Sequence, residues 1–391
     1  MSIINQAVIF CGGLGTRLKP LTKKLPKPMV QINNKPFLQY LIEQCKQNGI
    51  KNFLLLCGYK HEVIKNFFGN GKKFGVSIKY HYNPPNIQTF KRIYEARKKL
   101  FSNFLLMYAD NYSSLNLIDL VDHHKKYKSK FTISVCKKKR GNINLKKSKN
   151  EIDKYYFKKN IKADFVDIGY MILEKKFFLQ NLNNKNISFS AFINESTKQK
   201  KANYYINDTD YLSISDLKRY NNTKKFFNEK YILIDRDGVL NLKNKNHYYV
   251  RNLDELKINY LLIKKLKKII NKRKLICITN QAGISTGDLN SKNLKKINKK
   301  IKVELKKNKI ELKEFFISTH HFKSNNFLRK PNHGLFLKAA KKYNFILDRT
   351  FYIGDDLRDI EASYRSKTRC MYIGKEKLSM KLKKKYINTL L

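Results

Sequence analysis

Two carboxylates, two residues apart at the end of an apolar run, mark the second half of the chain. Tyr231-Ile232-Leu233-Ile234 runs straight into Asp235-Arg236-Asp237-Gly238. Side chains at i and i+2 leave a strand on the same side, so Asp235 and Asp237 can face one metal ion and one phosphate. The first can attack phosphorus, and the second can carry a proton to the leaving oxygen. Three more groups follow in the same style. The run LICI ends in Thr279-Asn280-Gln281, then comes Arg329-Lys330-Pro331, and FYIG ends in Asp355-Asp356 with Asp359 beyond. A hydroxyl, amides, cations and carboxylates would converge on one crevice at the C-terminal ends of strands. One acidic group alone could be no more than a helix cap. Four groups in this order make a phosphate-handling site.

A second segment with chemistry lies near the start. The short apolar run 5–11 (NQAVIFC) feeds Gly12-Gly13-Leu14-Gly15-Thr16-Arg17, a strand followed at once by a glycine-rich turn. Glycines let the backbone approach a ligand and aim N–H groups at it, so Gly12, Gly13 and Gly15 form a cradle. Arg17 adds a planar charged fork that suits phosphate. Pro26 and Pro28 stiffen the chain on either side of Lys27. A lysine held that way is a fixed partner for phosphate.

The sequence of GGLGTRL, then PKPM, then KPFLQY resembles the sugar-phosphate nucleotidyltransferases, which join a nucleoside triphosphate to a sugar 1-phosphate. The resemblance implies that Gly12, Gly13, Gly15 and Thr16 hold the nucleotide and that Arg17 and Lys27 contact its phosphates in catalysis. It also implies that Asp110, at the end of FLLMYAD, holds Mg²⁺. A carboxylate at a strand's C-terminal end does face the ligand crevice of such a sheet. VDIGYMIL (166–173) resembles the family's sugar-side strand, with Asp167 and Gly169 at matching places. Two departures stand out. The family's second glycine-rich segment is replaced by NIQTFKRIY (86–94), and its second metal carboxylate falls on Ile206, which leaves Asp208 as the candidate ligand.

The later set resembles the haloacid-dehalogenase superfamily of phosphatases over residues 229–375. That likeness implies Asp235 as nucleophile through an aspartyl phosphate, Asp237 as general acid and base, and Lys330 as the balancing charge. Thr279 and Asn280 would contact phosphate, with Gln281 and Arg329 in the same substrate-binding set. Asp235, the Asp237 carbonyl and Asp355 would hold Mg²⁺, with Asp356 close by. DRDGVLN, TNQAGISTG, RKPNHGLF and IGDDLRDIEAS are most similar to the heptose-bisphosphate and histidinol-phosphate phosphatase branch. Residues 242–278 are too few for a large cap, so the site should be open, with His247-Tyr248-Tyr249 as a flap. The branch often carries a zinc loop of cysteines. Here Ser318 to Lys330 keeps His320 and His321 but no cysteine, and two histidines cannot close a tetrahedral site. No zinc is expected.

Positioning these groups takes two α/β series. The first alternates strands at 5–11, 53–57, 76–82 and 104–108 with helices at 36–48, 61–68 and 90–100, then a hairpin or exposed loop at 137–162. The second starts at Tyr231. The expectation is two three-layer α/β domains with mostly parallel sheets. A Rossmann-like nucleotidyltransferase domain would occupy 1–215 and a capless haloacid-dehalogenase-like domain 231–391, with a polar linker over 216–230.

The chain has 391 residues, 42% hydrophobic and 13% aromatic, which is enough for two cores and excludes a disordered polycation. No apolar run is long enough to span a membrane. The start lacks a signal peptide, and six scattered cysteines read as free thiols, so a cytoplasmic enzyme is expected. Lys and Arg outnumber Asp and Glu by 83 to 30, a net charge of +53. The lysines are spread along the whole chain beside many Asn, Ile, Phe and Tyr, the signature of AT-rich coding. Nucleic acid is therefore not expected as the partner. Sugar phosphate and nucleoside triphosphate are. The expected sequence of reactions removes the 7-phosphate of D-glycero-D-manno-heptose 1,7-bisphosphate and then attaches a nucleotide, GMP by analogy, to the 1-phosphate. The alternatives are another sugar and base, a phosphatase for nucleic-acid ends, or a first domain that only binds nucleotide sugar.

Overall fold

A run of small and branched apolar residues that alternates with amphipathic helices can be buried on both faces only inside a covered sheet. The computed structural model describes residues 4–158, 162–180, 187–209, 211–227, 230–244 and 249–391. It divides into two compact units, Met1–Lys224 and Lys225–Leu391.

The first unit is built on nine strands: β1 (Gln6–Cys11), β2 (Asn52–Cys57), β3 (Ser77–Tyr82), β4 (Asn103–Tyr108), β5 (Phe131–Lys137), β6 (Ile143–Lys146), β7 (Glu151–Tyr155), β8 (Phe165–Glu174) and β9 (Ala202–Ile206). Their order across the sheet is β3-β2-β1-β4-β8-β5-β9-β7-β6. The first four are parallel. Beyond β4 the sheet turns mixed, because β8 enters antiparallel to both β4 and β5. The segment read as a hairpin or loop at 137–162 is the antiparallel pair β6–β7, with residues 159–161 outside the described set. Helix Phe37–Gln47 buries Phe37, Leu38, Leu41 and Ile42, the face its spacing predicted.

The second unit has β10 (Tyr231–Ile234), β11 (Lys274–Asn280), β12 (Leu312–Ser318), β13 (Phe351–Gly354) and β14 (Arg369–Tyr372). They lie in the order β12-β11-β10-β13-β14, and every pairing is parallel. The chain runs from β10 outward to β12 and then returns to the other side of β10 for β13. The switch point thus falls between β10 and β13, where a parallel sheet opens a crevice at its carboxyl ends. Between β10 and β11 the described residues hold one helix, Tyr260–Ile270, in keeping with the absence of a large cap.

The polar stretch 216–230 reads as a linker but contains a ten-residue helix, Leu217–Phe226. It is fastened to the first unit by Thr223 Oγ1 donating to Ser213 O at 2.8 Å and Tyr220 OH donating to Gln31 O at 2.8 Å. Side-chain hydrogen bonds anchor it where its composition offered no apolar stripe to predict a docked helix. All six cysteines are buried free thiols. No helix among the described residues is long and apolar enough to cross a membrane.

Candidate active sites

The parallel sheet of the second unit delivers Asp235 from β10, Thr279 and Asn280 from β11 and Asp355 from β13 to one edge. Together with Asp237, Arg329, Lys330, Lys243 and Arg358 they line a crevice of about 600 Å³. Carboxylate oxygens of Asp235, Asp355 and Asp359 lie within 4.8 Å of one another. Lys330 closes the group from below, with Nζ 2.9 Å from Asp235 Oδ1 and 2.8 Å from Asp359 Oδ1. Its amine is buried, which disfavours charge, but the two carboxylates outweigh that and raise its pKa. Burial pushes the Asp235 carboxyl up to about 7; Lys330 opposes the rise and Asp359 and Asp237 add to it.

This arrangement suits a divalent cation. Asp355 Oδ1 is buried without a hydrogen-bond partner, and it belongs to the same cluster as Asp235 and Asp359. A hard cation takes oxygen ligands of this kind. Asp356 lines the same crevice and also caps helix Leu357–Ser366, accepting from the Arg358 N–H at 2.9 Å and pairing with the Arg358 guanidinium at 2.7 Å. The Asp237 carboxylate is also engaged elsewhere. It takes Arg236 Nη2 at 2.9 and 3.0 Å, Asn241 Nδ2 at 3.0 Å and Gln281 Nε2 at 2.7 Å. Burial would raise its pKa, but the Arg236 charge and these three donors hold it below the ordinary carboxylate value. The third carboxylate of the cluster is Asp359, which also receives the Asp355 and Asp356 N–H groups.

Asn280 lines the crevice and brackets the main chain of Lys330, donating to its carbonyl at 2.9 Å and accepting its N–H at 3.0 Å. Gln281 is fully buried and links Asp237 to Thr279 Oγ1, at 2.8 Å from the latter. Arg236 was passed over in the sequence although it sits between the two motif aspartates. Its side chain is fully buried and reaches Asn298 as well. Tyr249 lines the crevice, while His247 and Tyr248 of the expected flap lie outside the described residues. His320 Nδ1 meets Ser318 Oγ at 3.2 Å and His321 Nδ1 accepts from Lys323 N at 3.2 Å, so both rings serve their own loop.

In the first unit the turn Gly12–Arg17 leaves β1 at the same edge from which Asp110 leaves β4. Gly12 is buried, whereas Gly13, Thr16 and Arg17 are open to solvent. Lys27 Nζ is bonded to the Asp110 carboxylate, so the stiffened lysine and the expected metal ligand meet across the turn. The Asp110 carbonyl accepts the Ile214 N–H at 2.9 Å. Asp208 borders a cavity of about 940 Å³ with Ile206, Lys137, Lys138, Lys147 and Lys162, a wall that does not include Asp110. Asn207 fixes this turn, donating to Ser114 O at 2.9 Å and accepting from Thr209 Oγ1 at 2.9 Å.

Asp167 was expected on the sugar side. It is buried in β8, accepts the Gly169 N–H at 2.7 Å, and burial pushes its carboxyl up to about 7. Gly169 has φ of +79°, and a Cβ there would lie 2.5 Å from Tyr108 Cδ2 and 2.9 Å from Asn111 Nδ2. Backbone strain and crowding should together cost about 2–4 kcal/mol in Gly169→Ala. Hydrogen exchange of the β8 amides checks this. Faster exchange is expected, and unchanged protection would mean the strand yields without penalty.

Comparison with known proteins places both regions. Residues 6–212 match the nucleotidyl transferase family, and residues 230–374 match a family described as polynucleotide kinase 3 phosphatase. The first region is similar to D-glycero-alpha-D-manno-heptose 1-phosphate guanylyltransferase of Campylobacter jejuni, 33% identical over 215 residues, 54% of this chain and 94% of that one. The corresponding enzyme of Aneurinibacillus thermoaerophilus is 30% identical over 229 residues, 56% of this chain and 97% of the relative. Among solved structures, a putative glucose-1-phosphate thymidylyltransferase from Bacillus anthracis superposes with a TM-score of 0.51 at 18% identity. It covers 55% of this chain and 92% of its own, a likeness of fold.

Proposed function

We propose, for a chain that belongs to the nucleotidyl transferase family through residues 6–212, two consecutive reactions on one sugar phosphate. The second unit removes a terminal phosphate from D-glycero-D-manno-heptose 1,7-bisphosphate. The first unit then transfers GMP from GTP to the remaining 1-phosphate and releases pyrophosphate. The observation that carries the reading is that one chain holds both an ion-paired Asp235–Lys330–Asp359 cluster and a Gly12–Arg17 turn closed by Lys27 and Asp110. The sugar and base are supported by the names of the guanylyltransferase relatives.

In the phosphatase crevice Asp235 attacks phosphorus in line, and Asp237 passes the ester oxygen the proton with which it leaves as the alcohol, becoming a carboxylate. Lys330 lies against the attacking carboxylate and limits the build-up of negative charge around it. Asp237, held as a carboxylate by Arg236, Asn241 and Gln281, takes the proton of the water that later cleaves the aspartyl phosphate. Asp235, Asp355 and Asp359 would hold Mg²⁺, whose role is to neutralise phosphate charge. In the transferase turn the loop N–H groups and Arg17 grip the triphosphate. Lys27 follows the charge that develops on it as the sugar phosphate attacks the α-phosphorus. Asp110 would hold Mg²⁺ there. The lysine-walled cavity beside Asp208 is a place for the anionic acceptor.

Phosphorus NMR of the full chain with heptose bisphosphate, Mg²⁺ and each triphosphate in turn tests the whole reading. Orthophosphate should appear first, and pyrophosphate only with GTP. Faster release from a 3′-phosphorylated oligonucleotide would replace the sugar substrate with a nucleic-acid end. The two sites should also differ in metal demand. A lone Asp110, itself bound to Lys27, depends on substrate phosphates for the remaining ligands, whereas three carboxylates converge in the second unit. Half-saturation of transfer is expected at higher Mg²⁺ than that of phosphate release. Equal values would show that a further carboxylate completes the first site.

A further inference from the structure

The segment that replaces the expected second glycine run carries an arginine with an unusual environment. Arg92 lies on helix Thr89–Glu95 and is 3% exposed. Every nitrogen of its guanidinium donates to main-chain carbonyls. Nε reaches Ile87 O at 3.0 Å, Nη1 reaches Cys57 O at 3.2 Å and Asn83 O at 3.4 Å, and Nη2 reaches Pro84 O at 2.8 Å and Pro85 O at 2.9 Å. The fork thus ties the end of β2 to the turn after β3. It also presses against the nucleotide turn. A Cβ on Gly12 would fall on Nη1, and a Cβ on Gly58 would lie 2.9 Å from Nη1 and 2.6 Å from Gly12 O. Both positions need glycine because the guanidinium occupies the space a side chain would take.

Among the described residues no carboxylate forms an ion pair with Arg92, and Glu95, bonded to Asn83 Nδ2, attracts the guanidinium only from beyond ion-pair distance. Carbonyl dipoles solvate a guanidinium but leave its net charge in place. A fixed positive charge held against the back of a turn whose N–H groups face a polyanion strengthens the binding of that anion, since burial weakens screening. The five bonds fix the carbonyls of Cys57 and of residues 83–87, and the guanidinium so held packs against Gly12, which limits how far the nucleotide turn can reorganise before the ligand arrives.

We propose that Arg92 is the positioning residue of the nucleotide turn, locking Gly12 and the 83–87 turn into one frame and lending its charge to the triphosphate. The proposal rests on the reading of Gly12–Lys27 as the nucleotide site. Arg92 touches no substrate atom, and its effect passes through the Gly12 backbone.

The test uses the full chain with Arg92→Lys and Arg92→Met, with GTP binding measured by calorimetry and transfer by KM and kcat. Hydrogen exchange of the β1–β4 amides reports whether the first unit of each preparation, Met1–Lys224, is folded. Arg92→Met keeps the stem but removes charge and donors, so its KM for triphosphate should rise about tenfold or more with kcat changed less than threefold. Arg92→Lys keeps the charge and loses the fork, so it should recover part of the affinity even if the methionine variant unfolds the first unit. A loss of kcat with unchanged KM and unchanged GTP affinity, or a lysine variant no better than methionine, overturns the proposal. Absence of GTP binding by the unaltered chain would instead overturn the nucleotide-site reading on which it rests.

Discussion

Asp235→Asn should abolish phosphate release, with a loss of at least ~10⁴-fold, while transfer continues near its original rate. The amide is the same size as the carboxylate but has no lone-pair nucleophile that can form the acyl phosphate. Lys330 keeps Asp359 as a counter-ion at 2.8 Å, so the substitution does not strand a buried cation. Transfer is spared because Asp235 lies in the unit Lys225–Leu391, whereas Gly12, Lys27 and Asp110 lie in Met1–Lys224. Orthophosphate release from the bisphosphate and pyrophosphate release with the 1-phosphate are measured on one preparation. Phosphate release surviving at a tenth of the original rate would remove Asp235 from the role of nucleophile.

Lys27→Ala should have the mirror-image effect, cutting transfer ~10²–10³-fold and leaving phosphate release intact. Its ammonium is 16% exposed and bonded to Asp110, so the substitution removes a fixed cation and also leaves the carboxylate without its partner. Arg17→Ala should also lower transfer, but less, because Arg17 is open to solvent and water screens its charge. The ratio between the two variants is the informative quantity. Equal losses would place Arg17 as deeply in the reaction as Lys27, which its exposure argues against. A double variant that transferred normally would remove the turn from catalysis altogether.

The sequence by itself determined where the chemistry would be, because short-range rules govern that part. A strand places alternate residues on one side, so Asp235 and Asp237 had to leave β10 together. Glycines at 12, 13 and 15 after an apolar strand had to make an open turn. The alternation of apolar runs and amphipathic helices required two covered sheets, and the all-parallel β10–β14 sheet follows that reading. What a side chain does once it arrives depends on neighbours far along the chain. Asp356 and Asp359 are equally plausible ligands in a string of letters. Only the packed helix shows Asp356 as a cap on Arg358 and Asp359 beside Asp235 and Asp355. The bonds of Gln281 to Asp237 and of Asn280 to the Lys330 main chain, the latter across 50 residues, are invisible in the sequence. So is the placing of Asp208, which follows Ile206 on the wall of a lysine-lined cavity in a turn held by the bond of Asn207 to Ser114. Arg92 carried no local signal at all. Its meaning comes from carbonyls of Cys57 and of residues 83–87 that the sheet and its turns bring around one buried charge. Burial makes such groups bond whatever is near, and nearness is a property of the tertiary structure.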